Sequence, residues 1–232
     1  MSHWNEPAGR VTRSFSDWLL VDRDQRAFLR KGLEFSKEIY DRIWNEIAAQ
    51  PGGPDGPELP DLFHEAVDGL WANDFEWMHL AGVTKDAVSN FEVYLEHAAD
   101  EILLLHGRQF AERKRSASWD RLVAFYKLFD VEVATTTVAE MRTLRHILTH
   151  RRGELRTEEQ RQSFGSDEPF MDSVAHLDAE GVERRMDSLA EVVRTVDPVA
   201  YDHSWGRVQS AAILALERDP LIPAPRKKDR PV

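Results

Sequence analysis

The chain has 232 residues, of which 42% are hydrophobic and 31% are charged, and its formal net charge is -11. This length suffices for one large or two small domains with a buried core, and the acidity argues against indiscriminate coating of nucleic acid. There is no cysteine, which excludes disulfides, thiolate nucleophiles and cysteine-ligated metal centres and fits a reducing cytoplasm.

Charged residues interrupt every apolar stretch of the sequence. No stretch approaches the roughly 20 apolar residues that a membrane-spanning helix needs. The N-terminal residues have neither a basic start nor an apolar core, so a secretory signal is not expected. The sequence therefore predicts a cytoplasmic protein without a membrane segment.

The N-terminal part of the chain is predicted to be helical on both sides of one break. Residues 22–49 carry apolar side chains at helical spacing, and Asp22 or Asp24 could cap this helix. Residues 51–60 are rich in proline and glycine, which fit neither a helix nor a central strand. They are predicted to form a flexible linker, followed by a shorter helix at about 61–73.

The rest of the chain is predicted to hold four more helices. Thr84 is placed to cap a long helix over residues 84–106, and Ser118 begins the next one. A third helix spans about 137–151, and Asp178 caps the last. Since strand-type alternation and internal repeats are absent from the sequence, the predicted fold class is an all-α helical bundle.

Polar segments separate these helices. Residues 108–115 form a basic connector, and residues 154–169 are predicted to be a mobile loop. The predicted organisation, in chain order, is an N-terminal helical segment, a linker, a helical domain and a disordered basic tail: residues 1–50, 51–60, 61–217 and 218–232.

Positive charge is concentrated at the end of one predicted helix. Residues 142–152 contain four arginines and two histidines and no Asp or Glu. At about 100° per residue, the polar members of this helix share one side, and the apolar members share the side that faces a core, except that Val138 strays toward the polar side. The polar set is Arg142, Arg145, His146, Thr149 and His150, and the apolar set is Met141, Leu144, Ile147 and Leu148. Because a solvated face normally mixes both signs of charge, a bound anion such as phosphate would relieve the repulsion.

These side chains suffice for RNA cleavage without a metal. An imidazole can take a proton from the ribose 2′-OH, which then attacks the adjacent phosphorus, and a guanidinium can stabilise the charge that develops. His150 is the preferred base or acid, Arg145 the charge stabiliser, and His146 an orienting or secondary group. The remaining arginines are candidates for binding RNA phosphates: Arg142, Arg151 and Arg152.

Two other interpretations fit the same residues. Cations in the last turn of a helix complement its macrodipole and can bond its last carbonyls. His146 and His150, one turn apart, could also share a metal ion. Because no carboxylate on that face completes a metal site, neither a metal nor another cofactor is expected.

The motif resembles the signature of the HEPN superfamily (higher eukaryotes and prokaryotes nucleotide-binding domain). That signature is an Arg followed after four to six residues by a His, with a polar residue directly after the Arg. Arg145 and His150 match it, and His146 takes the polar position, where Asn is commoner. The upstream residues 90–96 and 118–129 resemble the family's preceding core helices, and residues 150–153 resemble its H-x-x-G helix ending. The resemblance covers about residues 84–200.

The resemblance implies a homodimer in which two Arg/His motifs face each other in one composite cleft. Many members are metal-independent ribonucleases in toxin–antitoxin, phage-defence or RNA-processing systems, and others bind RNA or protein without catalysis. An antitoxin or another regulatory protein is therefore a candidate partner besides RNA. Toxins paired with a nucleotidyltransferase antitoxin usually carry a Tyr two residues after the motif His, where this chain has Arg152.

The leading hypothesis is thus a metal-independent endoribonuclease, and the alternative is an inactive HEPN-like module that binds RNA or a protein. Four tryptophans that precede the region of resemblance are predicted to be core or packing aromatics, with base stacking as the alternative for an exposed one: Trp18, Trp44, Trp71 and Trp77.

Overall fold

The structure is a computed structural model that describes residues 11–49, 72–105, 118–166 and 173–204. Helices account for 82% of these residues, and no strand occurs among them. The predicted all-α fold is therefore confirmed for the described part of the chain. The predicted linker, the basic connector and the C-terminal tail lie outside it.

Six helices occur in the described ranges, and none of the six has an apolar stretch long enough to cross a membrane. In chain order they are α1 (Arg13–Ala48), α2 (Ala72–Leu105), α3 (Trp119–Lys127), α4 (Thr136–His150), α5 (Glu158–Phe164) and α6 (Ala179–Ser204).

The chain divides into two compact units, and the divisions fall within α1, α2, α4 and α6. The first unit comprises Met1–Asp22, Val88–Arg142 and Asp187–Val232, and the second comprises Arg23–Ala87 and Thr143–Met186. Each has its own buried apolar residues. In the first these include Phe91, Tyr94, Leu95, Ile102, Phe125 and Tyr126, and in the second Leu29, Leu144, Ile147, Val182 and Met186. The domain segments that the sequence indicates stay a prediction.

The start of α1 differs from the prediction of a cap at Asp22 or Asp24. The helix begins at Arg13, and the Thr12 hydroxyl accepts a hydrogen bond from the Phe15 backbone N–H at 3.0 Å. Thr12 is in turn held by Asp197, whose Oδ1 lies 2.5 Å from the Thr12 hydroxyl. The cap is Thr12, and its position depends on Asp197, which is distant in the sequence. An acidic residue near an apolar stretch was therefore not a reliable sign of where this helix begins.

Thr84 is not a cap either, because α2 begins at Ala72 and continues through it. The Thr84 hydroxyl donates to the Leu80 carbonyl, one turn earlier, at 2.8 Å. This hydrogen bond satisfies the buried Thr84 hydroxyl inside the helix. The neighbouring sequence does not show whether such a hydroxyl bonds backward within a helix or caps the start of one.

The predicted loop at 154–169 is also wrong in part, since it contains α5. Thr157 caps this helix by accepting from the Gln160 backbone N–H at 3.2 Å. Only Phe164 of this short helix is buried, so its apolar signal is weak.

Other helix boundaries are confirmed. The motif helix, predicted over 137–151, spans Thr136–His150, and α3 begins directly after Ser118. Asp178 precedes α6, and its Oδ1 accepts from the Gly181 N–H at 2.7 Å. The end of the motif helix and the start of α6 follow local signals, whereas the Ser118 side chain makes no capping hydrogen bond to α3.

The tryptophans divide into different environments. Trp18 is buried as predicted, and Trp77 is half-buried. Trp44 is 54% exposed, so the prediction of a core or packing residue is wrong for it. Apolar residues at helical spacing do not show which turns of a long helix are buried against other helices. Trp71 lies outside the described residues.

Asp197 is a buried carboxylate, and burial raises its pKa above the ordinary 3.8, while the hydrogen bonds from Thr12 oppose that shift. The folded state therefore binds this proton more tightly than the unfolded state. The contribution of Asp197 to stability is full below its unfolded pKa and is lost as the pH rises through its folded pKa.

Wild type and Asp197→Asn are expected to show this difference in urea unfolding. The free energy of unfolding of wild type, relative to the non-titrating variant, is expected to be larger at about pH 4 than at about pH 7. Carboxylates that do not interact with Asp197 cancel in the comparison because both proteins contain them, whereas Glu101, whose charge also raises the pKa of Asp197, loses that interaction in the variant. A difference that stays constant or grows with pH would contradict the raised pKa.

Candidate active site

Helix α4 separates most of its polar and apolar residues as the sequence predicts, whereas Val138, which the spacing places toward the polar side, is buried. The apolar set is buried: Met141, Leu144, Ile147 and Leu148. On the other side Arg145 is half-buried, and His146, Thr149 and His150 are exposed. The exposed groups can therefore meet a ligand, and replacing them removes no core packing.

The two imidazoles lie one helical turn apart, close together and tilted relative to each other. The ring centroids of His146 and His150 are 4.8 Å apart, with an angle of 48° between the planes. Both rings are accessible, and an imidazole can gain or lose a proton near neutral pH. One short surface therefore carries two groups capable of proton transfer beside Arg145.

The helix ends in two successive residues with left-handed backbone conformation. Arg152 has φ +51° and Gly153 has φ +87°. The backbone N–H groups of Arg151 and Gly153 both donate to the Ile147 carbonyl, at 3.0 and 3.2 Å. Gly153 confirms the predicted left-handed cap. The sequence does not predict this conformation for Arg152, since a residue with a Cβ in this region costs about 1 kcal/mol or more.

The segment after the helix is fixed by contacts within the second unit. Leu155 N–H donates to the Ser173 carbonyl at 2.8 Å, and Ala175 N–H donates to the Gly153 carbonyl at 2.9 Å. The Trp77 indole N–H completes the arrangement by donating to the Ala175 carbonyl at 2.8 Å. The end of α4 is thereby held in a defined position.

The Trp77 ring also lies close to the backbone at Gly153. A Cβ built on Gly153 would lie 2.6 Å from Cζ2 of Trp77 and 3.2 Å from Cγ1 of Val174. Both the backbone conformation and this close approach therefore require glycine. The sequence favours a packing role for Trp77, and nothing local in the sequence indicates that it supports the motif helix.

Arg142 lies in the first unit, and it has an acidic partner that the sequence interpretation missed. Its Nε is 2.7 Å from Oε1 of Glu92 in α2, and its guanidinium carbon lies 4.1 Å from the ring centroid of Trp119. Within α4 the polar face carries no carboxylate, as the sequence predicts, but Glu92 of α2 supplies one to Arg142. An arginine in an ion pair and over an aromatic ring fixes the position of its helix.

The other two candidate phosphate ligands follow the helix directly. Arg151 is half-buried and Arg152 is exposed. Among the residues that the structure describes, no three His, Asp or Glu side chains are grouped so that they could hold a metal ion.

Comparisons with family models, with curated proteins and with solved structures found no match to this chain. The chemical interpretation of the site therefore depends on its residues and their geometry.

Proposed function

We propose that this chain is a metal-independent endoribonuclease of HEPN-like type, with its active site at the end of α4. The observation that supports it best is the pair of exposed imidazoles of His146 and His150, 4.8 Å apart, on the same face as Arg145. A proton-transfer group and a permanent cation side by side are what phosphodiester cleavage by an internal hydroxyl needs.

The reaction begins when His150 takes the proton of the ribose 2′-OH. The 2′-oxygen forms a bond to phosphorus, and Arg145 stabilises the extra negative charge on the phosphorane oxygens. The bond from phosphorus to the 5′-oxygen then breaks as an imidazolium donates a proton to that oxygen. The products are a 2′,3′-cyclic phosphate and a 5′-OH, and no oxidant, water or metal is consumed.

The proton for the leaving group comes from a second imidazole. In the dimer that the HEPN resemblance implies, this is His150 of a second copy across a composite cleft, and His146 orients the base. Arg151 and Arg152 bind the flanking phosphates. Because Arg142 is paired with Glu92, its role in this account is to hold α4 in position. The absence of cysteine fits a cytoplasmic location.

The test is incubation of total RNA with purified wild type and with His150→Ala, both in EDTA. Cleavage by wild type alone is the expected result, since EDTA removes divalent metals and the variant lacks the base. No cleavage by the folded wild type, or equal cleavage by both proteins, contradicts the proposal. RNA binding without cleavage supports the alternative function, an inactive HEPN-like binding module.

A further inference from the structure

A cavity of about 560 Å³ lies in the second unit, next to the segment that follows α4. Its volume is within the range of small-molecule sites, about 300–1,000 Å³. Its wall combines two carboxylates, an indole, a guanidinium and an imidazole. These belong to Asp74, Glu76, Trp77, Arg152 and His176.

Two carboxylates lie in the wall of this cavity. Asp74 is exposed and Glu76 is half-buried. Glu76 accepts a hydrogen bond from the Ser36 hydroxyl through Oε1 at 2.7 Å, so this side chain is held in one orientation. A carboxylate only accepts hydrogen bonds, and guanine is the RNA base whose Watson–Crick edge offers two adjacent donors, N1–H and the N2 amino group.

Trp77 supplies a fixed aromatic wall. Its N–H is bonded to the Ala175 carbonyl, and its six-membered ring is in close approach to Gly153. An aromatic ring that is already immobilised loses little freedom when a base stacks on it. Single-stranded RNA bases are commonly recognised by such stacking together with hydrogen bonds to their edges.

Arg152 connects the cavity with the candidate active site. It lines the cavity, and it follows His150 by two residues in a backbone turn that the Ile147 carbonyl holds in place. An RNA strand with its cleaved phosphate at the end of α4 could therefore place the neighbouring base in the cavity. Arg152 would then contact the phosphate that joins that base to the cleaved position.

We infer that this cavity holds a guanine base of the RNA strand beside the cleaved phosphate. The inference rests on the proposed ribonuclease function and adds its base preference. Asp74 and Glu76 accept from the guanine edge, Trp77 stacks on the ring, and Arg152 binds the adjoining phosphate.

The test measures binding to His150→Ala protein, which leaves the RNA intact, by isothermal titration calorimetry. The trinucleotide ApGpA is expected to bind about tenfold or more tightly than ApApA, a difference typical of one good bidentate base contact. Asp74→Asn and Glu76→Gln in the same background are expected to reduce this preference. Asp86→Asn, which replaces an exposed carboxylate of the same helix outside the cavity, is expected to retain it.

Equal binding of both trinucleotides, or a preference that survives both cavity substitutions in folded protein, overturns the inference. Guanosine 5′-monophosphate that binds as tightly as ApGpA would identify a site for free nucleotides and overturn the assignment to RNA. The two proposals can fail separately. Guanine preference without cleavage by wild type would contradict the endoribonuclease function alone. Cleavage without guanine preference contradicts the cavity assignment alone.

Discussion

His150→Ala is expected to cleave RNA about 10²- to 10⁴-fold more slowly than wild type, the usual contribution of a general acid or base. Its stability is expected to stay close to that of wild type, because the His150 side chain is exposed and belongs to no core. Initial rates on a defined RNA, measured together with thermal unfolding, separate the two effects.

Neighbouring positions of α4 provide matched controls. Thr149→Ala changes an exposed residue next to His150 and is expected to leave the rate unchanged. Arg145→Ala is expected to lose activity, and Arg145→Lys to recover only part of it, because an ammonium lacks the planar fork of the guanidinium. If His150→Ala retains the wild-type rate, the catalytic role is refuted. If it unfolds the protein, the cations at the end of α4 are structural.

Gly153→Ala is expected to lower the free energy of unfolding by about 2–5 kcal/mol. Roughly 1–2 kcal/mol comes from a Cβ in left-handed backbone and about 1–3 kcal/mol from overpacking against Trp77, 2.6 Å from the new atom. Urea denaturation measures the loss. Because the same residue ends the motif helix, RNA cleavage is expected to fall as well.

Gly82→Ala is the matched control, and its expected change in the free energy of unfolding has the opposite sign. Gly82 lies inside α2, and nothing is within 4 Å of the position that its Cβ would take. The added methyl group is expected to stabilise the helix by about 0.5–1 kcal/mol. A similar change in stability for both variants would show that Gly153 is not constrained as the structure indicates.

The features that the sequence predicts correctly depend on local signals. The buried side of α4, its end near Gly153 and the cap at Asp178 each follow from residues within one or two turns. The errors at Asp22 and Thr84 came from reading an ordinary helical residue as a cap.

What the sequence could not indicate depends on partners distant in the chain. Thr12 caps α1 with the help of Asp197, and Arg142 pairs with Glu92. Trp77 supports the turn at Gly153. One sequence contains no record of which distant residues meet, since that is decided by tertiary packing. The buried side of α4 was therefore predictable from the sequence, whereas the contacts that fix the end of this helix were not.

The most direct test of the central claim uses an RNA with a single mapped cleavage position. In EDTA, wild type is expected to cut it and to leave a 2′,3′-cyclic phosphate and a 5′-OH, identified by mass spectrometry. The same RNA with a 2′-O-methyl group at that nucleotide is expected to remain intact, because its nucleophile is blocked. Cleavage of the methylated RNA, or products with 5′-phosphate ends, would contradict attack by the 2′-OH and with it the role given to Arg145 and His150.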